Sequence, residues 1–395
     1  MISFDEAVEL VRSIATPLAA ETVPIAEAAG RVLARPVTAD LDSPRSDVSA
    51  MDGYAVREED LNRFPASLRL VGHSYAGSGW KGSVEPGTSV RIFTGAPVPP
   101  GADRVVMQEN VRCTGDAVII AEQPGPARYI RKRASDFAQG DELLAAGRLL
   151  NARALVVAAG ADFAKLEVYR RPRLHILSTG DELAEPGTAR ERTDAIPESV
   201  SFGVAALALQ WGAECTGRIR VGDDLPRMEE LARAATDDDD LVVVTGGASV
   251  GEKDFAKTMF DPLGLELAFS KVSIRPGKPV WLGRVRDKLV MGLPGNPTSA
   301  LVTARLLLVP LLAALTGRQL GEALSWRALR LASSLGPCGP RETFHRARWV
   351  NGTAEILTFQ DSSAQKALAK ADLLVRQRAH SLALEAGAEV EVLDF

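Results

Sequence analysis

Phe4, Ala7, Val8 and Val11 fall at i, i+3, i+4 and i+7, one face of a helix, and Asp5 and Glu6 sit in its first turn, where the helix dipole favours acids. This spacing predicts an amphipathic helix over residues 3–20. From about 45 to 138 the texture changes to short β-prone runs, SLRLVGH, TSVRIF, DRVVMQ and DAVII, separated by Gly and Pro clusters, as in a small β-domain. Residues 139–167 return to Gly-punctuated apolar segments ending in ALVVAAGADF. Residues 1–45 and 139–167 therefore read as one discontinuous domain, with a β-domain, 46–138, inserted in it. Between 168 and 320 strand-like and helix-like segments alternate, which predicts a parallel sheet covered on both faces. The strands are RLHIL (173–177), 214–220, LVVV (241–244), 265–272 and KLVMG (288–292). The helices are 199–211, 225–236, with Leu225, Met228, Leu231 and Ala235 on one face, and 298–309. After 321 short strands return (WRALRLA, RARWVNG, EILTF, EVEVLDF), predicting a small β-barrel or sandwich over 321–395.

Composition narrows the function classes. The 395 residues are 46% hydrophobic and 25% charged, enough apolar material for more than one buried core. Forty-six Lys and Arg against 51 Asp and Glu leave a net charge of -5, which gives no global attraction for nucleic acid or an anionic membrane. Any bound anion must be held locally. Cys113, Cys215 and Cys338 are far apart and read as reduced thiols, while four scattered histidines provide neither a zinc cluster nor a Ser-His-Asp triad. Metal chemistry is expected to run on carboxylates. The opening MISFDEAVEL lacks the basic-then-apolar order of a secretory signal, and the apolar stretch near 298–316 is expected to be interrupted by Arg305 and Pro310. A cytoplasmic protein with no membrane span is the expectation.

Three of the predicted strands end in turns suited to an anion or a metal ion, the place where ligands sit in open α/β sheets. STGDEL (178–183) offers Ser178, Thr179 and the backbone of Gly180 as donors, then Asp181 and Glu182 as carboxylates. TGGASVGEKD (245–254) supplies Gly246, Gly247, Ser249 and Gly251 for close approach to phosphate, with Glu252 and Asp254 adding negative charge. GLPGNP (292–297) is stiffened by Pro294 and Pro297 and made permissive by Gly295. Any one such loop also reads as an ordinary βα turn; three in one sheet favour a site. Glu182, Asp223 and Asp254, from different strand ends, are the hard oxygen ligands that Mg²⁺ takes beside phosphates and water. Asp223 and Asp224 read equally as N-caps of the 225–236 helix. Lys271, Arg275 and Lys278, around Pro276-Gly277, are donors for phosphate or an oxyanion, or else the basic ends of a surface strand. In SAMDGYAV (49–56) and RIFTGAPVPPGAD (91–103), Asp52-Gly53 and Thr94-Gly95 read as turns.

MDGYAV, TGAPVPPGADRVVMQE, STGDEL, TGGASVGEKD, the RPGKP stretch and GLPGNP, in this order and spanning nearly the whole chain, resemble the MoeA family of molybdopterin molybdenumtransferases, which includes the E domain of gephyrin. The resemblance implies a multidomain α/β plus β fold. Its parts are a discontinuous elongated helical and dimerisation region, an inserted small β-domain, a doubly wound α/β domain similar to molybdopterin adenylyltransferase, and a C-terminal β-barrel. It implies insertion of molybdate into adenylylated molybdopterin with release of AMP and with Mg²⁺. It also implies a homodimer whose site is shared between subunits, Asp52 and Thr94 acting on the partner's site. Glu182, Asp223 and Asp254 match the family's functional acids, Lys271 and Arg275 its cationic positions, and Pro294 and Pro297 its cleft loop. Molybdopterin adenylyltransferase and apo-molybdoenzymes are the implied partners.

The chain departs from the family pattern at three points: Val200 where an Asn commonly opens a helix, Arg275 where many members have Lys, and Asp361 where Gly is common. These departures keep open a diverged paralogue that binds a cofactor intermediate or acts as a scaffold or sensor. The adenylyltransferase step is a further alternative, disfavoured by the flanking domains.

Overall fold

A computed structural model describes residues 1–246 and 255–395. The chain forms two compact units, one of Met1–Arg35, Ala146–Asn151 and Lys165–Phe395, the other of Pro36–Ala145 and Ala152–Ala164.

In the first unit, helix α1 (Phe4–Ile14) opens with a capping box, in which Ser3 accepts the Glu6 N–H and the Glu6 carboxylate accepts the Ser3 N–H. The helix is shorter than the expected 3–20: Ala15 is extended, and the residue before Pro17 is disfavoured from helical geometry. Its buried face, Phe4, Ala7, Val8 and Val11, packs into one core with Leu174, Ile176 and Phe344. The opening helix thus packs with the α/β and C-terminal parts, which offer the broad apolar surface its stripe needs.

The α/β sheet comprises β1 (Arg173–Thr179), β2 (Glu214–Val221), β3 (Leu241–Thr245), β4 (Glu266–Phe269), β5 (Trp281–Val285) and β6 (Lys288–Leu293), in the order β2-β1-β3-β6-β5-β4. The first four of that order are parallel, whereas β5 runs antiparallel to β6 and β4 antiparallel to β5. The expected all-parallel sheet is therefore mixed. Only Arg286 and Asp287 join β5 to β6, too short for the crossover a parallel pair requires. Alternation along the strands feeds two cores. Leu174 and Ile176 pack with Val204 and Ala208 of helix α2 (Val200–Gln210), and Leu177 packs with Met228 and Ala232 of helix α3 (Leu225–Asp238).

Helix α4 (Pro297–Thr316) is long and apolar enough to cross a membrane by length and composition, but 89% of its most apolar window is buried inside the fold, as in a core helix. Arg305 and Pro310 do not interrupt it. A π segment, Ala304–Leu308, precedes Pro310, and its wider turn accommodates the missing proline N–H. The buried Arg305 is satisfied by the carbonyls of Asp394 and Ala323.

Beyond α4, strands Arg327–Leu331, Thr353–Ile356, Glu342–Val350, Leu373–Gln377 and Glu389–Asp394 pair in a closed ring around Ala347, Ala354, Val375 and Val392, a β-barrel. The short strand Ile274–Arg275, from the α/β part, adds in parallel to Glu342–Thr343.

The second unit is built on a six-stranded sheet ordered Arg104–Met107, Gly53–Val56, Thr88–Ile92, Ala66–Ser74, Ala117–Ile120 and Val111–Thr114. Helix Ala152–Gly160 and the paired strands Val37–Thr38 and Glu142–Leu144 belong to it as well.

Candidate active site

β1, β3 and β6 are parallel neighbours, so their carboxyl ends open on one edge of the sheet, where the loops after β1 and β6 meet Thr245 and Gly246 at the end of β3. Thr245 Oγ1 bonds Ser178 Oγ at 3.0 Å, and Thr179 Oγ1 donates to the Thr245 carbonyl at 3.4 Å. Ser178 is thereby a buried brace, not a wall. Gly246 has φ +92°, and a Cβ there would lie 2.4 Å from the Thr179 carbonyl; a Cβ on Gly295 would lie 3.3 Å from Gly246 Cα. The two glycines allow backbone-to-backbone approach of the loops. Between them opens a cleft of about 730 Å³, which Thr179, Gly180, Gly246, Pro294, Gly295 and Pro297 border.

Of the three acidic residues that line this cleft, Glu182, Asp223 and Glu198, the first two come from the loops after β1 and β2. Their loops are tied together: Gly180 N–H donates to the Val221 carbonyl at 3.1 Å, and Asp223 N–H to Asp181 Oδ1 at 2.9 Å. The Glu182 carboxylate lies against Gly180, where a Cβ would come within 2.4 Å of Oε2. Asp224, not Asp223, caps α3 through the Arg227 N–H. That separates the two readings of the pair.

A second wall is Glu198, Ser199 and Val200 at the start of α2. Glu198 accepts the Ser201 N–H at 2.8 Å and its hydroxyl at 2.6 Å, so the carboxylate serves the helix end. Val200 is buried and gives the cleft an apolar spot where the family commonly presents an amide.

The barrel contributes Ser363 and Gln365. Their loop is docked by Asn296 to Ser362 Oγ (3.0 Å), by Thr298 N–H to the Ser362 carbonyl (3.2 Å) and by Gln365 to Ser199 Oγ (3.4 Å). Asp361 turns back into its own loop, accepting the Ser363 hydroxyl and N–H, which hold its carboxyl below the usual range. Behind the loop lies Arg346, fully buried, whose Nη2 donates to the Asp361 carbonyl at 3.2 Å while Nε and Nη1 have no hydrogen-bond partner among the described residues. Burial pushes this guanidinium below its ordinary value, and Asp361 opposes the shift. Burial also lowers His345, and Arg275 and Arg346 add to that effect against the Gln377 hydrogen bond. The sequence offered no sign of Arg346, one of three arginines in RETFHRARW.

Lys271, Arg275 and Lys278 do not line the cleft. Arg275 and Lys278 are exposed, and of their loop only Pro279 reaches the wall. Gly277 fixes the loop: with φ +103° it lies so close to α4 that a Cβ would fall 2.1 Å from Thr303 Cγ2. Gly247, Ser249 and Asp254 lie outside the described residues.

Among the described residues no three His, Cys, Asp or Glu side chains come together as a metal cage. Glu182 and Asp223 still fit Mg²⁺, which commonly takes one or two carboxylates and completes its shell with phosphate and water. In the second unit, Asp52 Oδ1 accepts the Thr94 N–H and hydroxyl, each at 2.8 Å. Thr94, aided by the charge of Arg91, holds the Asp52 carboxyl below its usual range, so it is ionised at neutral pH.

Residues 2–161 match the MoeA N-terminal region (domain I and II), 175–314 a probable molybdopterin binding domain, and 328–395 the MoeA C-terminal region (domain IV). A molybdopterin molybdenumtransferase of Nostoc sp. is 37% identical over 82% of this chain and 76% of its own length. Molybdopterin molybdenumtransferase 2 of Mycobacterium tuberculosis is 33% identical over 95% of both. The crystal structure of the molybdopterin biosynthesis moeA protein from Pyrococcus horikoshii superposes with a TM-score of 0.87 at 25% identity, covering 100% of each chain. With relatives this similar along most of its length, and with family matches in all three parts, the chain belongs to the MoeA family and has a role in molybdenum cofactor biosynthesis.

Proposed function

We propose that the chain is a molybdopterin molybdenumtransferase that inserts molybdate into adenylylated molybdopterin and releases AMP. The observation that carries this reading is the cleft itself, where the loops after β1 and β6 and Gly246 after β3 meet the carboxylates of Glu182 and Asp223 in a chain of this family. Glycine backbones at 180, 246 and 295 let N–H groups approach a pyrophosphate, and the start of α4 at Pro297 adds the positive end of a helix dipole. Glu182 and Asp223, with Asp254, would hold Mg²⁺, which when bound polarises the phosphoryl oxygens. Molybdate is a tetrahedral oxyanion, and the cations Lys271, Arg275 and Lys278, on the loop whose Pro279 reaches the cleft wall, are donors of the kind it requires. The two dithiolene S–H groups give up their protons as their sulfurs bind molybdenum, the oxo ligand they displace leaves with those protons as water, and a water molecule hydrolyses the phosphoanhydride to free AMP. No side chain acts as a covalent nucleophile.

The reading extends to a cytoplasmic homodimer in which Asp52 and Thr94 serve the partner's site, supplied by a molybdopterin adenylyltransferase and delivering to apo-molybdoenzymes. Its test is an insertion assay with purified protein, adenylylated molybdopterin, Mg²⁺ and molybdate, following AMP. Molybdate-dependent AMP release should fall at least about a hundredfold in Glu182→Ala, the scale of losing a group that orders transition-state charge. Binding of the intermediate without any AMP would reassign the chain as a non-catalytic binding member of the family.

A further inference from the structure

Asp181 connects the two acids assigned to the metal, and the reaction above gives it no role. It precedes Glu182 in the loop after β1, and its Oδ1 accepts the N–H of Asp223, in the loop after β2, at 2.9 Å. Among the described residues that line the cleft, Glu182 and Asp223 are present and Asp181 is not. Its carboxylate is spent on the backbone that carries Asp223.

Both ends of this tie are held. The Arg192 guanidinium donates to the Asp181 carbonyl at 3.2 Å and the Ile196 N–H to the Glu182 carbonyl at 2.8 Å, which fixes the backbone of the first loop. In the second loop the Asp224 N–H donates to the Gly222 carbonyl at 2.8 Å, while the Asp224 side chain caps α3 through the Arg227 N–H. The backbone bond from Gly180 N–H to the Val221 carbonyl joins the loops at their bases, two residues before each acid. The Asp181 side chain is a second anchor, placed at the acids themselves. Gly222 makes room for it: a Cβ there would lie 2.7 Å from Asp181 Oδ1, well inside van der Waals contact.

We propose that Asp181 is a positioning residue for the metal site, its carboxylate fixing the Asp223 backbone so that the Asp223 and Glu182 carboxylates stand at the spacing one Mg²⁺ requires. The inference rests on the transferase reading for its metal. Groups that hold a metal ligand from behind commonly contribute about ten- to a hundredfold of metal affinity, because a ligand already in place need not be ordered when the ion binds. Here the contribution comes from an acceptor oxygen on a backbone N–H, so an uncharged side chain with the same acceptor should supply it.

The test titrates Mn²⁺ into the full chain and follows free Mn²⁺ by electron paramagnetic resonance, with circular dichroism to establish that each variant is folded. The Mn²⁺ Kd should rise on the order of tenfold in Asp181→Ala. It should rise similarly in Gly222→Ala, which keeps the carboxylate but pushes it off the Asp223 N–H. Asp181→Asn, which retains the acceptor oxygen, should bind Mn²⁺ as the parent does. In the insertion assay the Mg²⁺ concentration for half-maximal AMP release should shift in the same order, with the rate at saturating Mg²⁺ retained. A folded Asp181→Ala or Gly222→Ala with the parent's Mn²⁺ Kd would overturn the proposal and leave the transferase reading standing. An Asp181→Asn that loses as much as Asp181→Ala would overturn it too, because the charge of Asp181, or its own bond to the metal, would then be at work. A parent chain that binds no Mn²⁺ takes the metal away from Glu182 and Asp223, and this proposal with it.

Discussion

Single residues set the tolerances of this cleft. Gly246 and Gly295 bring two loops within backbone contact, and the three departures from the family pattern each have a local structural account. Val200 is absorbed into the core at the start of α2, Asp361 closes its own loop on Ser363, and Arg275 lies on an exposed strand added to the barrel. Away from the cleft, Asp240 illustrates how one carboxylate is held. Burial raises its pKa, but paired hydrogen bonds from Arg170 and one from the Arg173 N–H outweigh that and leave it lowered. A depressed folded pKa contributes stability above the unfolded value of about 3.9, and the contribution is lost as pH falls through the folded value. Asp240→Asn should therefore cost about 2 kcal/mol at pH 7, allowing for the partly exposed Arg170, with the difference from the parent narrowing below about pH 4. Urea unfolding at the two pH values measures it.

At the scale of elements, the loop 271–280 depends on its contact with α4. Gly277→Ala would force a Cβ into Thr303 Cγ2 and place an L-residue at φ +103°, for a loss of about 3 kcal/mol. Adding Thr303→Ser removes the methyl while keeping the hydroxyl bond to the Ser299 carbonyl, and should recover the steric part but not the backbone part, leaving about 1 kcal/mol in denaturant unfolding. Much of the element order was legible from sequence. β1, β3 and β6 announce themselves as apolar runs that end in glycine turns, and Gly180, Gly246 and Gly295 from those turns border the cleft. What escaped reading has physical causes. β5 was hidden because its hairpin turns on Arg286, a positive-φ residue without the Asn or Gly that signals such turns. α4 was expected to break at Pro310 because sequence shows the missing N–H but not the π turn that absorbs it. Barrel closure pairs strands far apart in sequence, so local pattern left barrel and sandwich equal. Arg346 was invisible because an arginine in an alternating strand reads the same whether buried or solvated.

For the whole molecule, the proposed sharing of the site between subunits makes a quantitative demand. Asp52→Ala and Glu182→Ala, each inactive alone, should regain activity when unfolded and refolded together, because a mixed dimer carries one intact site. Random pairing should restore about a quarter of the parent rate, measured as AMP release, while a site contained within one subunit would restore none. A last consequence follows from the strand Ile274–Arg275, which is laced by backbone pairing to Glu342–Thr343 although nearly seventy residues of chain separate them. The C-terminal barrel is consequently not a portable cassette. A graft beginning at residue 321 would leave the Glu342–Thr343 edge without the strand that covers it. An exchange between family members should instead carry residues 271–280 with the barrel, transplanting the seam along with both pieces of cloth.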